Sequence, residues 1–170
     1  MMKKKITDPA LAEELNGADS GPENDDKQFV VFQLGGETYG IEISRVREII
    51  VMQELTTLPR TAEYVKGIIN LRGTVIPVYD LAGKFGLDSS AATKSTRIMV
   101  VEVKGYTVGM IVDMVSEVVR IPPEVIEPPS SLMTNGLNEQ FIEGIANYSD
   151  RLIIILNLGN TLAADISFAC

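Results

Sequence analysis

The strongest constraint on this chain is that it carries the same programme twice. Phe32, Leu34, Gly36, Gly40, Ile43, Val46, Glu48 and Ile49 recur at a constant offset as Val101, Val103, Gly105, Gly109, Val112, Val115, Glu117 and Val118. A second stretch repeats in the same order at a slightly larger offset. There Val65, Gly67, Ile68, Asn70, Val75, Ile76, Val78 and Leu81 return as Ile142, Gly144, Ile145, Asn147, Leu152, Ile153, Ile155 and Leu158. The extra residues fall in the loop-like stretch from Pro122-Pro123 to Asn138. Two copies of short apolar runs bounded by glycines argue for two small all-β units, each curling its sheet to limit exposed edges. Neither copy is large enough to be comfortable alone, so burial between them should supply part of the stability.

Within each copy the turns define the elements. Phe29 to Leu34 runs into Gly35-Gly36 and is followed by Glu37 to Ile43, which reads as a hairpin. Ser44 offers an N-cap for a short helix over Arg45 to Ile50, with Val46 and Ile49 on one helix face, and Asp113 offers the same cap in the second copy. Tyr64 to Leu71 and Thr74 to Leu81 form a second hairpin around Arg72-Gly73. Pro77 lacks an amide donor and should mark an edge or a bulge, whereas the second copy has Ile154 there. Ile153-Ile154-Ile155 is apolar on both faces and fits a shared core. Residues 1–27 are polar and read as a flexible acidic tail, in which Asp8-Pro9 starts and Gly17 stops a short helical turn. Residues 28–158 form one body, its first unit mainly 28–82 and its second mainly 97–158, with strand exchange between them left open. Residues 159–170 form a C-terminal segment with little helix signal.

Composition narrows the function classes. No apolar run approaches the roughly 20 residues that span a bilayer. Asp8, Glu13 and Glu14 interrupt Ile6 to Leu15, so a secretory leader is not expected and the expected compartment is the cytoplasm. Cys170 is the only cysteine and histidine is absent, which argues against disulfides, a metal site and the commonest general base. The net charge of −8 disfavours nucleic acid. Asp80, Asp113 and Asp150 each follow or cap a repeated strand without a nucleophile–base pair or phosphate-binding loop, so neither an enzyme nor a cofactor is expected.

The duplication supplies an internal control for candidate sites. Gly40 and Gly109, Gly67 and Gly144, and Asn70 and Asn147 recur and read as backbone positions needing positive φ or close approach. Glu48 and Glu117 recur as well, suggesting a shared structural role such as closing the helix turn. Met99, Met110 and Met114 read as adaptable core packing. Arg72 has Ser149 at its counterpart. Two readings stand open for it: an outward guanidinium for a partner's carboxylate, or an internal ion pair with Asp80 or Glu48.

Phe29-Val30-Val31-Phe32-Gln33-Leu34, Tyr39-Gly40-Ile41-Glu42-Ile43 and Val46-Arg47-Glu48-Ile49 resemble the opening of the CheW-type coupling proteins of bacterial chemotaxis. Lys66 to Gly73, Val75 to Leu81, Val108 to Asp113 and Val115 to Val118 continue the resemblance across residues 28–158. It implies two SH3-like five-stranded barrels packed around a shared hydrophobic core, with short helices. It also implies a cytoplasmic adaptor, monomeric when free. Such an adaptor joins the cytoplasmic tips of methyl-accepting chemoreceptors to the regulatory domain of the histidine kinase CheA, and meets membrane arrays only through the receptors. On the same resemblance Arg72, Glu48, Val46 and Gly67 are the partner-binding candidates. Arg72→Glu is then expected to weaken coupling and leave folding intact.

Overall fold

The computed structural model describes residues 5–6, 26–57, 64–87, 92–129 and 139–162. Among the described residues twelve strands run in chain order: β1 Lys5–Ile6, β2 Lys27–Leu34, β3 Glu37–Glu42, β4 Val46–Val51, β5 Val65–Leu71, β6 Thr74–Asp80, β7 Arg97–Val103, β8 Tyr106–Val112, β9 Met114–Ile121, β10 Ile126–Glu127, β11 Ile142–Tyr148 and β12 Arg151–Leu156. A short helix α1, Leu81–Lys84, follows β6. Helical residues 158–162 form α2 after β12.

Four hairpins, β2–β3, β5–β6, β7–β8 and β11–β12, turn on two residues that both have positive φ: Gly35-Gly36, Arg72-Gly73, Lys104-Gly105 and Ser149-Asp150. That is the signature of the tight turn whose twist matches paired strands.

The sheets do not follow the halves of the sequence. One has the order β1-β4-β7-β8-β6-β5 and the other β10-β11-β12-β3-β2-β9. The leading hairpin of each copy has crossed into the other copy's sheet, and the crossing is reciprocal. Val46 faces Val101 just as Val115 faces Phe32, and Val78 faces Gly109 just as Ile155 faces Gly40. Each sheet also closes on itself. The chain leaving β4 bridges back to the far edge at Thr56 and Ile68, with backbone hydrogen bonds of 3.0 and 2.8 Å, while β10, just after β9, pairs with β11. The fold is therefore mainly β, in two sheets of five principal strands each.

This arrangement explains the runs that are buried on both faces. Side chains alternate across a strand. In β2, Phe29 and Val31 join Ile153 and Ile155 inside their own curled sheet, while Val30, Phe32 and Leu34 point into the core between sheets. In β7, Ile98 and Val100 lie inside the other sheet, and Met99, Val101 and Val103 face the shared core. Ile154 and Leu156 face that core too. Tyr39 stacks on Phe32 at 5.8 Å, and burial near Glu37 pushes its phenol up to about 12, so it stays neutral at ordinary pH.

Several expectations change. The helix over Arg45 to Ile50 is instead a 3-10 turn, Ile43–Arg45, followed by β4. The spacing of three between Val46 and Ile49 comes from a bulge: Val46 faces Val101 and Glu48 faces Val100, so Arg47 is the extra residue and both apolar side chains reach the shared core. The same bulge occurs at Ser116 in β9. Asp113 caps no helix, and accepts a hydrogen bond from the Gly35 amide at 2.9 Å. Pro77 marks no outer edge, since β6 lies between β8 and β5. It sits where the β8 ladder begins, at Val78, whereas the equivalent ladder on β12 already includes Ile154, which has an amide to donate. Met114 is exposed, unlike Met99 and Met110.

At the ends of the chain, Lys5–Ile6 lies within the segment expected to be a tail yet forms a parallel strand on β4. The turn expected between Asp8 and Gly17 lies outside the described residues. Beyond β12, residues 158–162 are helical and bury Leu158 and Leu162 in the shared core, despite the weak helix signal there. Residues 163–170 lie outside the described residues.

Candidate functional site

The curled sheets bring together residues that are remote in sequence. Glu48 projects from β4, near one side of its sheet, and Arg72 from the turn at the other side. The Arg72 guanidinium donates to Glu48 Oε2. The Glu48 side chain is 7% exposed and that of Arg72 49%, so a nearly buried carboxylate is paired with a guanidinium half in water. Glu48 Oε1 is buried and finds no hydrogen-bond partner among the described residues. Of the two readings left open for Arg72, the ion pair with Glu48 is therefore formed within the chain. That pairing bears on the expectation that Arg72→Glu spares the fold, because the variant would set a second carboxylate beside the nearly buried one of Glu48.

The pair is itself duplicated. Arg151, at the start of β12, donates to Glu117 Oε2 in the second sheet. Position-by-position comparison missed it, because Arg151 stands two residues beyond Ser149, the formal counterpart of Arg72. The discoverable signal was an arginine in the same hairpin, not at the same register. Both sheets thus use a guanidinium from one hairpin to clamp a carboxylate on a bulged strand. They differ in burial: both partners in the second pair are about one-third exposed, at 34% and 36%.

The other candidates sit apart from this pair. Gly67 is buried beneath the closing segment at Leu55 and Thr56, where an added Cβ would lie 2.6 Å from the Thr56 carbonyl oxygen. Gly144 occupies the same place, with Ile126 Cγ2 at 2.6 Å and Glu127 O at 2.9 Å. These glycines recur because of close approach, not positive φ. Val46 is buried in the shared core, on the opposite face of β4 from Glu48.

The remaining acids have local duties. Asp80 caps α1 by accepting from the Gly83 amide at 3.1 Å and lies 3.8 Å from Lys66. Asn157 caps α2 in the same way, accepting from Asn160 at 3.0 Å. Asp80→Ala is expected to cost about 1 kcal/mol, the worth of one N-cap, measured as a lower urea midpoint. The duplicated architecture leaves two equivalent clefts. Leu34, Lys66, Asp80, Ala82 and Ile111 line one, while Val103, Glu143, Asn157, Gly159 and Glu42 take the same places in the other. Among the described residues no cluster of acids and thiols could hold a metal, and no helix is long and apolar enough to cross a membrane.

Two curled sheets exchanging their leading hairpins, with a clamped ion pair in each and exposed apolar residues at Val75 and Leu152, define a duplicated β scaffold. Residues 28–165 match the CheW-like domain family, and the chain belongs to it. It is 34% identical over 159 residues to the chemotaxis protein CheW of Helicobacter pylori, covering 91% of this chain and 95% of that one. It is 33% identical to a probable chemotaxis protein CheW of Rhizobium etli, covering 78% and 85%. The crystal structure of the scaffolding protein TtCheW from Thermoanaerobacter tengcongensis superposes with a TM-score of 0.76 at 40% identity, covering 85% of this chain and 91% of that one.

Proposed function

We propose that this protein is a non-enzymatic chemotaxis adaptor that couples chemoreceptor cytoplasmic tips to the regulatory domain of the histidine kinase CheA. On this reading it works in the cytoplasm and is recruited to membrane arrays through the receptors. The observation that carries the reading is the family match, which spans nearly all of the described body and extends to a solved scaffolding protein. The Glu48–Arg72 pair is its centre: the exposed half of the guanidinium keeps donors free for a partner carboxylate, while Glu48 holds it in one orientation. Gly67 and Val46 act one step behind, as supports of the surface. Gly67 seats the closing segment at Leu55 and Thr56, and Val46 anchors β4 in the core.

The test is size-exclusion chromatography of the chain with a CheA regulatory domain and a receptor-tip fragment. A ternary peak is expected. Arg72→Ala should weaken receptor incorporation more than Arg151→Ala does. Failure to associate with either partner would sink the adaptor reading.

A further inference from the structure

The duplicated fold makes one addition conspicuous. β4 and β9 are equivalent strands, each lying at the same end of a five-strand order. Among the described residues β9 has no strand on its outer side, but β4 is covered by β1, with Lys5 opposite Glu48 and Ile6 opposite Ile49 in parallel register. Neighbouring strands lie about 4.8 Å apart, so Lys5–Ile6 runs directly beside the residue that clamps Arg72. The repeated programme does not include this strand; among the described residues only the unit bearing the more buried ion pair has it.

We infer that the outer edge of β4 is a strand-accepting surface, that the chain's own Lys5–Ile6 is its resident occupant, and that a partner segment pairing with that edge must first displace it. An edge strand presents unpaired amides and carbonyls that favour extended segments. The resident pairing spans only two residues. Its hydrogen-bonding gain is of the same order as the cost of ordering the segment, so the strap is held near balance and releases readily. The gating role rests on the coupling function proposed above, whereas the pairing does not.

The test uses the full chain and two substitutions. Ile6→Pro removes a backbone donor, and Ile6→Ala keeps it. In native-state hydrogen exchange, Ile6→Pro should accelerate the outward-facing amides of Arg47 to Ile50, leaving β7 and β8 unchanged, and Ile6→Ala should stay near wild type. Titration with a receptor-tip fragment should show affinity rising about threefold in Ile6→Pro, the gain from releasing an edge that is two-thirds occupied. Exchange that is identical in all three chains overturns the strap. Faster exchange with unchanged or weaker affinity overturns the gate. Binding by none of the chains overturns the gate by removing the coupling reading, and the exchange data still report separately on the pairing.

Discussion

Gly67→Val is expected to destabilise the protein by about 2–4 kcal/mol, combining overpacking with the loss of two backbone hydrogen bonds. The new side chain would begin 2.6 Å from the Thr56 carbonyl oxygen and 3.1 Å from Leu55 Cβ, so backbone, not a flexible side-chain tip, must give way. The segment that moves is the one that closes the sheet through the Thr56–Ile68 bridge. Urea denaturation followed by circular dichroism should show the drop. Gly144→Val, which meets Ile126 and the Glu127 carbonyl in the second sheet, should behave in the same way. Because Gly67 is buried, any coupling defect in the variant should track the unfolded fraction. A folded, fully stable Gly67→Val that fails only in partner binding would contradict this account.

Arg72→Ala is expected to cost about 2 kcal/mol, between the near-zero worth of an exposed pair and the larger penalty of orphaning a buried charge. Glu48 is too buried to recover full hydration once its guanidinium is gone, whereas Arg72 is half in water. The asymmetry gives a sharp cycle. Glu48→Met should cost less than Arg72→Ala, and the double variant should recover most of the loss, because an apolar side chain in that site no longer needs a partner. Arg151→Ala leaves Glu117 about one-third exposed and should cost well under 1 kcal/mol. Equal effects for the two arginines would show that burial does not set the strength of these clamps.

The duplication, the hairpin turns and the all-β class were legible from the residues alone, because each depends on local pattern: glycines at turns and apolar runs between them. The helix expected over Arg45 to Ile50 shows where local pattern misleads. A bulge at Arg47 produces a spacing of three in an extended strand, and only the partner strand β7 reveals it. The reading of Arg72 was limited in a similar way. Aligning the copies by position made it look unique, while the second guanidinium had shifted two places along the same hairpin.

From sequence by itself came the two-unit β scaffold, the family and the recurrence of Glu48 and Gly67 with their counterparts, since repetition preserves what each unit requires. Tertiary structure alone decided which strands share a sheet, that Glu48 and Arg72 meet, and that Lys5–Ile6 lies along β4. The reason is physical. Strand pairing between segments far apart in the chain depends on cooperative burial of both faces, and no single stretch of residues carries that information.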